Sequence, residues 1–168
     1  MLLNKKNIQL EHISDYISAV PITYYLSFLY LALIRNPIES IFYWKCLIGI
    51  VITTLTTDLI KRLPYPEYFW NVTRRPSGAK NTDFLSKNGP CKKDAPGFPS
   101  GHMSATSFFA TLTMLYFSQN KFMGKFVSSS LILFMGWSRW FKGVHNIPQI
   151  IGGTLYGIIC AYATRYFL

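Results

Sequence analysis

The stretch "IFYWKCLIGIVITTLTTDLI", residues 41–60, decides the fold class. It contains only two charged residues, a lysine near its start and an aspartate near its end. A helix needs ~20 mostly apolar residues to cross a bilayer. A helix on the surface of a soluble domain would interrupt its apolar stripe every third or fourth residue. This stretch therefore predicts a membrane-spanning helix.

Four further apolar runs predict spans of the same kind, at about residues 16–34, 102–118, 126–141 and 147–164. Together the five predict an all-α fold, an integral membrane helical bundle of about five transmembrane helices in a single domain over residues 1–168. Residues 1–15 predict an amphipathic or flexible leader, which would add a sixth helix if it also enters the membrane. Close approach of a neighbouring helix to the last span is predicted at Gly152, Gly153 and Gly157.

Composition narrows the class of function. The formal net charge is +10, from 17 Lys and Arg against 7 Asp and Glu. Such an excess of positive charge is typical of proteins that bind nucleic acid, an anionic membrane surface or an anionic substrate. The five predicted spans argue against nucleic acid, because a nucleic-acid-binding protein is not normally embedded in a membrane. The three cysteines (Cys46, Cys91 and Cys160) lie far apart without C-x-x-C spacing. They predict neither a metal site nor a disulfide framework.

The basic residues are concentrated at one face of the predicted bundle. Eight of the 17 lie in the loop at residues 61–100, and two more, Arg139 and Lys142, lie in the turn between the fourth and fifth spans. Because two helices separate these connections, both lie on the same side of the membrane. The pattern predicts an anion site at the membrane surface.

Candidate site residues reach that face from three segments of the chain. They are Lys61 at the end of the second span, Arg75 in the loop, Ser100, Gly101 and His102 at the start of the third span, and Arg139 and His145 before the fifth. A tetrahedral phosphate requires fixed positive charge, a nucleophile and a proton donor for the leaving group. The set contains all three.

The segment "GFPSGHMSAT", residues 97–106, is poor material for the interior of a membrane helix but suits the start of one. The first N–H groups of a helix have no intrahelical partner and bind anions. Gly101 lets the backbone come close to a ligand. The start of the third span is therefore predicted to hold phosphate.

These residues resemble the motifs of the type 2 phosphatidic acid phosphatase superfamily, which includes lipid phosphate phosphatases, glucose-6-phosphatase-like enzymes and vanadium haloperoxidases. Its motifs are K-x6-R-P, P-S-G-H and S-R-x5-H-x3-D. P-S-G-H is intact at residues 99–102, and S-R-x5-H is intact from Ser138 to His145. The motifs occur in the family's order at span boundaries, and they extend over most of the chain.

The sequence departs from the family pattern at two places. Lys61 is followed by Tyr68 where the family has its arginine; R-P appears only at Arg75, with Arg74 as a rival. Gln149 stands where most members carry aspartate, and glucose-6-phosphatase-like members resemble this chain in having glutamine there. An amide can accept a hydrogen bond from imidazole Nδ1–H and fix its tautomer. It cannot stabilise an imidazolium by charge.

The resemblance implies a membrane-embedded phosphatase domain with the loop at residues 61–100 as its basic active-site loop. It implies His145 as nucleophile, His102 as general acid and base, and Gln149 as the residue that orients His145. The implied phosphate ligands are Lys61, Arg75, Ser100, Gly101 and Arg139. No metal and no cofactor are implied.

The implied substrate is a lipid phosphate monoester or diphosphate such as phosphatidic acid, with the bilayer as partner and no nucleic acid; a soluble sugar phosphate is an alternative. Two other readings stay open: a catalytically weak or inactive protein that binds lipid phosphate, and phosphotransfer to an alcohol acceptor. The oligomeric state is not predicted. The positive-inside rule would place the basic face in the cytoplasm, whereas the family resemblance implies a multi-pass protein whose site faces the lumen or the outside. We favour the latter, because a phosphate site is basic for catalytic reasons.

Overall fold

The computed structural model describes residues 2–79, 91, 95–117 and 120–168. The predicted loop at residues 61–100 is therefore described only in part, and position 118 of the third predicted span lies outside the described residues. Helices account for most of the structure: α1 (Leu2–Ser18), α2 (Val20–Ile34), α3 (Pro37–Lys61), the short α4 (Trp70–Thr73), α5 (Gly101–Phe117), α6 (Lys121–Phe141) and α7 (Ile147–Phe167).

Three helical stretches among the described residues are long and apolar enough to cross a membrane: Gln9–Ile34, Pro37–Lys61 and Ile147–Phe167. The prediction of an all-α integral membrane bundle is confirmed. The 17 described residues of α5 fall short of a full span, and α6 carries Lys121 and Lys125 in its first two turns. The count of five spans stays a prediction.

The first span differs from the sequence prediction. Helix already runs through residues predicted as a leader, and the candidate span begins at Gln9 rather than residue 16. The series of helical backbone hydrogen bonds is interrupted near Ala19, and this interruption separates α1 from α2. Pro21 lies in the first turn of α2 and has no N–H with which to continue the ladder from α1. Hydropathy alone could not show that a helix with a polar first half joins the apolar run.

Asparagine caps set the starts of α3 and α6. Asn36 accepts a hydrogen bond from the Glu39 N–H at the start of α3, and Asn120 accepts from two amides at the start of α6. The fourth span was predicted from residue 126, but α6 begins at Lys121. The cap and good helix formers extend the helix beyond the apolar run.

The central helix is α5, which packs against α3, α6 and α7. Side chains are buried on all of its sides from Met103 to Leu112. A Cβ on Gly153 would lie 2.5 Å from the Ser100 carbonyl oxygen, and one on Gly157 would lie even closer to the Ser104 carbonyl oxygen. The predicted close approach at these glycines of α7 is confirmed. Helices pack in lipid largely through such contacts, because lipid tails are as apolar as leucine.

Candidate active site

The ends of α3 and α6 and the starts of α5 and α7 meet at one end of the bundle, which we call the site end. A cavity of about 310 Å³ opens there. Its wall includes Lys61, Arg75, Gly101, His102 and His145. Both candidate histidines and two of the three candidate cations therefore share one hollow of the size of a small-ligand site.

The structure separates the rival arginines of the first motif. Arg75 lies on the cavity wall, and its Nη1 donates to the Cys91 Sγ at 3.4 Å. Arg74 instead lies with its Cζ 3.4 Å from the centre of the Trp70 ring, in a cation–π contact. The Arg74 backbone forms an isolated β-bridge with Pro96. Of the two, Arg75 has access to the site.

Lys61 lies beside the start of α5. Its Nζ donates to the Asp58 Oδ1 at 2.9 Å, and a Cβ on Gly101 would come within 3.3 Å of that Nζ. The ammonium group therefore lies against the first turn of α5, and a side chain at position 101 would crowd it. An anion in the adjoining cavity, which both residues line, would meet both the lysine and the free amides of the helix start.

His145 is held by Gln149 in a defined tautomer. The imidazole Nδ1 lies 2.9 Å from the Gln149 Oε1. The Gln149 Nε2 donates to the carbonyl oxygens of Val72, at 2.9 Å, and Arg74, at 2.6 Å. A flipped amide would turn its oxygen toward these two carbonyls, so Oε1 must face His145. An amide oxygen only accepts, so Nδ1 carries the proton and Nε2 keeps its lone pair.

Gln149 also joins the three motif segments. Its side chain forms hydrogen bonds with the backbone of residues 72 and 74 and with His145. Its main-chain carbonyl oxygen accepts a hydrogen bond from the Ser100 N–H at 3.1 Å. Gly97 packs against it so closely that a Cβ there would lie 2.7 Å from the Gln149 Nε2. The residue is fully buried. Aspartate, the residue of most family members, has no N–H with which to make the two carbonyl contacts.

The environment of His145 favours the neutral imidazole. Burial, chiefly, together with the charges of Arg75, Arg139 and Lys61, lowers the pKa of His145 to about 3, against the hydrogen bond to Gln149, which raises it. A neutral ring with a free Nε2 is the nucleophilic form. The same cations act on the ring of His102.

Ser100 and Arg139 lie behind the cavity rather than on the described part of its wall. The Ser100 hydroxyl is buried, with no hydrogen-bond partner among the described residues. Such an orphaned group costs roughly 1–3 kcal/mol, so its retention needs an explanation. Arg139 is completely buried, near enough to both histidines to act on them electrostatically.

Arg139 is held by α1. Its Nη2 donates to the hydroxyls of Ser18 and, at 3.2 Å, Ser138. Ser14 and Ser138 share a hydrogen bond of 2.7 Å between their hydroxyls. Lys142 adds an ion pair with Asp15 at 2.5 Å. The end of the leader predicted at residues 1–15, through Ser14 and Asp15, and Ser18 just after it thus support the site.

Several residues that shape the site were missed by the sequence analysis. Ser18 fixes Arg139, Gly97 closes over Gln149, and Thr57 lies on the cavity wall. Single serines, glycines and threonines carry no spacing signal. Only the proximity of Thr57 to Lys61, one turn apart on α3, could have drawn attention to it.

Comparison with known proteins gives a consistent picture. Residues 41–168 match the family model described as the PAP2 superfamily. A similar fold occurs in a transmembrane PAP2-type phosphatidylglycerolphosphate phosphatase from Bacillus subtilis, with a TM-score of 0.61 and 17% sequence identity over 99% of this chain and 76% of that one. No curated protein matches the chain by sequence. Helices α1 and α2 precede the matched range.

Proposed function

Because the chain belongs to the PAP2 superfamily, we propose that it is a membrane phosphatase that hydrolyses the phosphate ester of a lipid through a phosphohistidine, without a metal ion. The observation that carries the proposal is the fixed tautomer of His145. Its free Nε2 belongs to a ring on the wall of the same cavity as His102, Lys61 and Arg75.

In the first step, the His145 Nε2 attacks phosphorus and the bond from phosphorus to the ester oxygen breaks. His102 gives its proton to that oxygen, which leaves as an alcohol. Lys61 and Arg75 on the cavity wall, with the first amides of α5, stabilise the charge on the equatorial oxygens. The buried Arg139 adds its positive charge from outside the described wall, and the Ser100 hydroxyl, next to Gly101, is the further donor that we propose for these oxygens. The negative charge of the bound phosphate offsets these cations and favours the protonated form of His102 that the step requires.

In the second step, His102 takes a proton from water, the resulting hydroxide attacks phosphorus, and the bond from phosphorus to the His145 Nε2 breaks. Inorganic phosphate leaves, and His145 regains its neutral form. Gln149 accepts from Nδ1–H throughout, so the same ring nitrogen is presented for attack in each cycle.

A lipid phosphate such as phosphatidic acid suits the position of the site. The cavity lies where spans end, so a phosphate head can occupy it while the tails stay in the bilayer. The side of the membrane that the site faces stays a prediction.

The first test is phosphate release by the purified protein in detergent, with phosphatidic acid as substrate and a chelator present. We expect release by the wild type and a fall to below about one-thousandth in His145→Ala, because the nucleophile is lost. His12→Ala, which removes the third histidine of the chain from an exposed position on α1, should leave the rate unchanged. Release that stops with the chelator and returns with added metal would contradict the proposal.

A second assay tests the intermediate. A nitrophenyl ester needs no proton on its leaving group, so His102→Ala should still complete the first step but not the second. We expect a burst that releases one mole of nitrophenol per mole of enzyme and leaves His145 phosphorylated. Formation of a phosphorylated alcohol when a diol is added would favour the phosphotransfer alternative, and binding without turnover would favour an inactive lipid-phosphate-binding protein.

A further inference from the structure

The cavity continues beyond the phosphate site along one face of α3. Its wall there includes Thr53, Thr54, Thr57 and Asp58, with Tyr25 of α2 opposite. From Lys61 to Thr53 the helix rises ~12 Å. The buried cluster around Ile50, Phe28 and Phe109 packs beyond that point. The space suits the part of a substrate next to its phosphate.

Three threonines of α3 have hydroxyls that are already occupied. Thr53 donates to the Gly49 carbonyl at 2.8 Å, Thr54 to the Ile50 carbonyl at 2.9 Å, and Thr56 to the Ile52 carbonyl at 2.6 Å. This is the usual bond of a threonine in a helix, to the carbonyl four residues earlier. The Tyr25 hydroxyl lies 2.9 Å from the Thr54 Oγ1. Since the Thr54 proton is already donated, the tyrosine is the donor.

Thr57 is the exception on this helix. It is 1% exposed and forms part of the cavity wall, yet its hydroxyl has no hydrogen-bond partner among the described residues. Buried hydroxyls are normally satisfied, and an exception requires a reason. The hydroxyl oxygen is itself covered in this conformation. Because Thr57 is part of the wall, a rotation of its side chain about χ1 that brings the hydroxyl to the cavity would let a ligand oxygen supply the missing partner.

The charges on this part of the wall exclude a second phosphate. Asp58 is the acid there, and Lys61 is already paired with it at 2.9 Å. A second phosphate would meet a carboxylate and hydroxyls instead of additional cations. A neutral group with an acceptor oxygen fits better. Thr57 lies one helical turn, ~6 Å, from Lys61, where the second oxygen of a glycerol phosphate would follow the scissile bond.

We propose that Thr57 is a specificity residue, whose hydroxyl donates a hydrogen bond to an oxygen of the alcohol that leaves, so that glycerol-based lipid monophosphates are preferred over prenyl monophosphates and diphosphates. This inference rests on the proposed function of the same site. A prenyl alcohol has hydrocarbon where glycerol carries its second oxygen, so it leaves the Thr57 hydroxyl without a partner.

The experiment compares kcat/KM for lysophosphatidic acid and farnesyl monophosphate in the same detergent. Thr57→Val keeps the shape and removes the hydroxyl. We expect kcat/KM for lysophosphatidic acid to fall about threefold to tenfold, the effect of one hydrogen bond, with no change for farnesyl monophosphate. Thr57→Ser should restore the wild-type ratio of the two values. Thr56→Val, the same change at the neighbouring position away from the cavity, should leave that ratio as it is.

The outcomes separate this inference from the function on which it rests. An active wild type whose Thr57→Val variant loses both activities equally, or neither, overturns the specificity role alone. Failure of Thr57→Ser to restore the ratio also overturns it. A wild type that releases phosphate from neither substrate overturns the proposed function, and this inference with it.

Discussion

Two helix starts meet at the site, and they are built in opposite ways. α7 begins with a complete capping box, in which the Asn146 side chain accepts from the Gln149 N–H and the Gln149 side chain accepts from the Asn146 N–H. α5 begins at Gly101, after a Ser100 whose buried hydroxyl has no partner within the described part of the chain. The start of α7 satisfies its own polar groups, whereas the start of α5 leaves the Ser100 hydroxyl and the amides after Ser100 available.

The difference shows how the two halves of the reaction are divided. A satisfied start contributes about 1 kcal/mol to helix stability and fixes side-chain geometry, which suits a nucleophile that must point in one direction. An unsatisfied start forgoes that stabilisation and keeps its donors for an anion. On this view α7 positions His145, and α5 binds the phosphate.

The largest effect is expected from Gln149→Leu, which removes the side-chain hydrogen bonds at the satisfied start of α7. His145 loses its tautomer control, and the carbonyls of Val72 and Arg74 lose their donor. We expect roughly a thousandfold loss of turnover, by analogy with other residues that orient a catalytic histidine, together with a lower unfolding temperature in detergent. Thr154→Val, on the same helix away from the site, should change turnover little. A Gln149→Leu variant with more than a tenth of wild-type turnover would refute the orienting role.

Ser100→Ala tests the unsatisfied start of α5, and the expected effect on turnover is smaller. Loss of one donor to the transition state should reduce turnover about a hundredfold. Because the hydroxyl is buried without a partner among the described residues, its removal should not lower the unfolding temperature. Turnover and unfolding temperature are measured on the same preparation. If both fall together, Ser100 is a structural residue and the contrast between the two helix starts is lost.

The smallest effect on His145 itself is expected from Gln149→Glu, which keeps the acceptor for Nδ1–H and adds a charge. Like the leucine variant, it loses the donor to the carbonyls of Val72 and Arg74 and should have a lower unfolding temperature. A carboxylate favours the imidazolium, so the pKa of His145 should rise from its lowered value of about 3. A protonated His145 cannot attack phosphorus. The acid limb of kcat/KM should therefore move to higher pH, by about one unit, and activity should be lost earlier as the pH falls. An acid limb at the wild-type position would show that position 149 does not control this histidine.

The meeting of Lys61, His102 and His145 at one cavity could be predicted from the sequence. His102 and His145 stand in intact motifs at predicted span boundaries, and Lys61 ends a span, so their convergence followed from the order of the helices. The R-P pair favoured Arg75 and left Arg74 as a rival, so the order of the helices did not settle the choice. That choice depends on the bridge between Arg74 and Pro96 and on the Trp70 ring.

Contacts between distant segments were beyond prediction. The two bonds from Gln149 to the backbone of residues 72 and 74 depend on how a loop lies against α7, and carbonyl groups have no sequence signature. The hydrogen bond between Arg139 and Ser18 joins residues more than a hundred positions apart. Thr57 differs from Thr53, Thr54 and Thr56 in that its hydroxyl has no hydrogen-bond partner among the described residues, which no residue pattern encodes.

The burial of α5 on every side has a consequence for biogenesis. Its hydroxyls, among them those of Thr106 and Ser107, are covered by neighbouring helices, whereas the same helix alone in lipid would expose them to hydrocarbon. The ribosome makes α7, whose glycines complete this cover, only after α5 and α6. We therefore expect α5 to reach its final position in the bilayer only after α6 and α7 have been synthesised, and not in the order of synthesis.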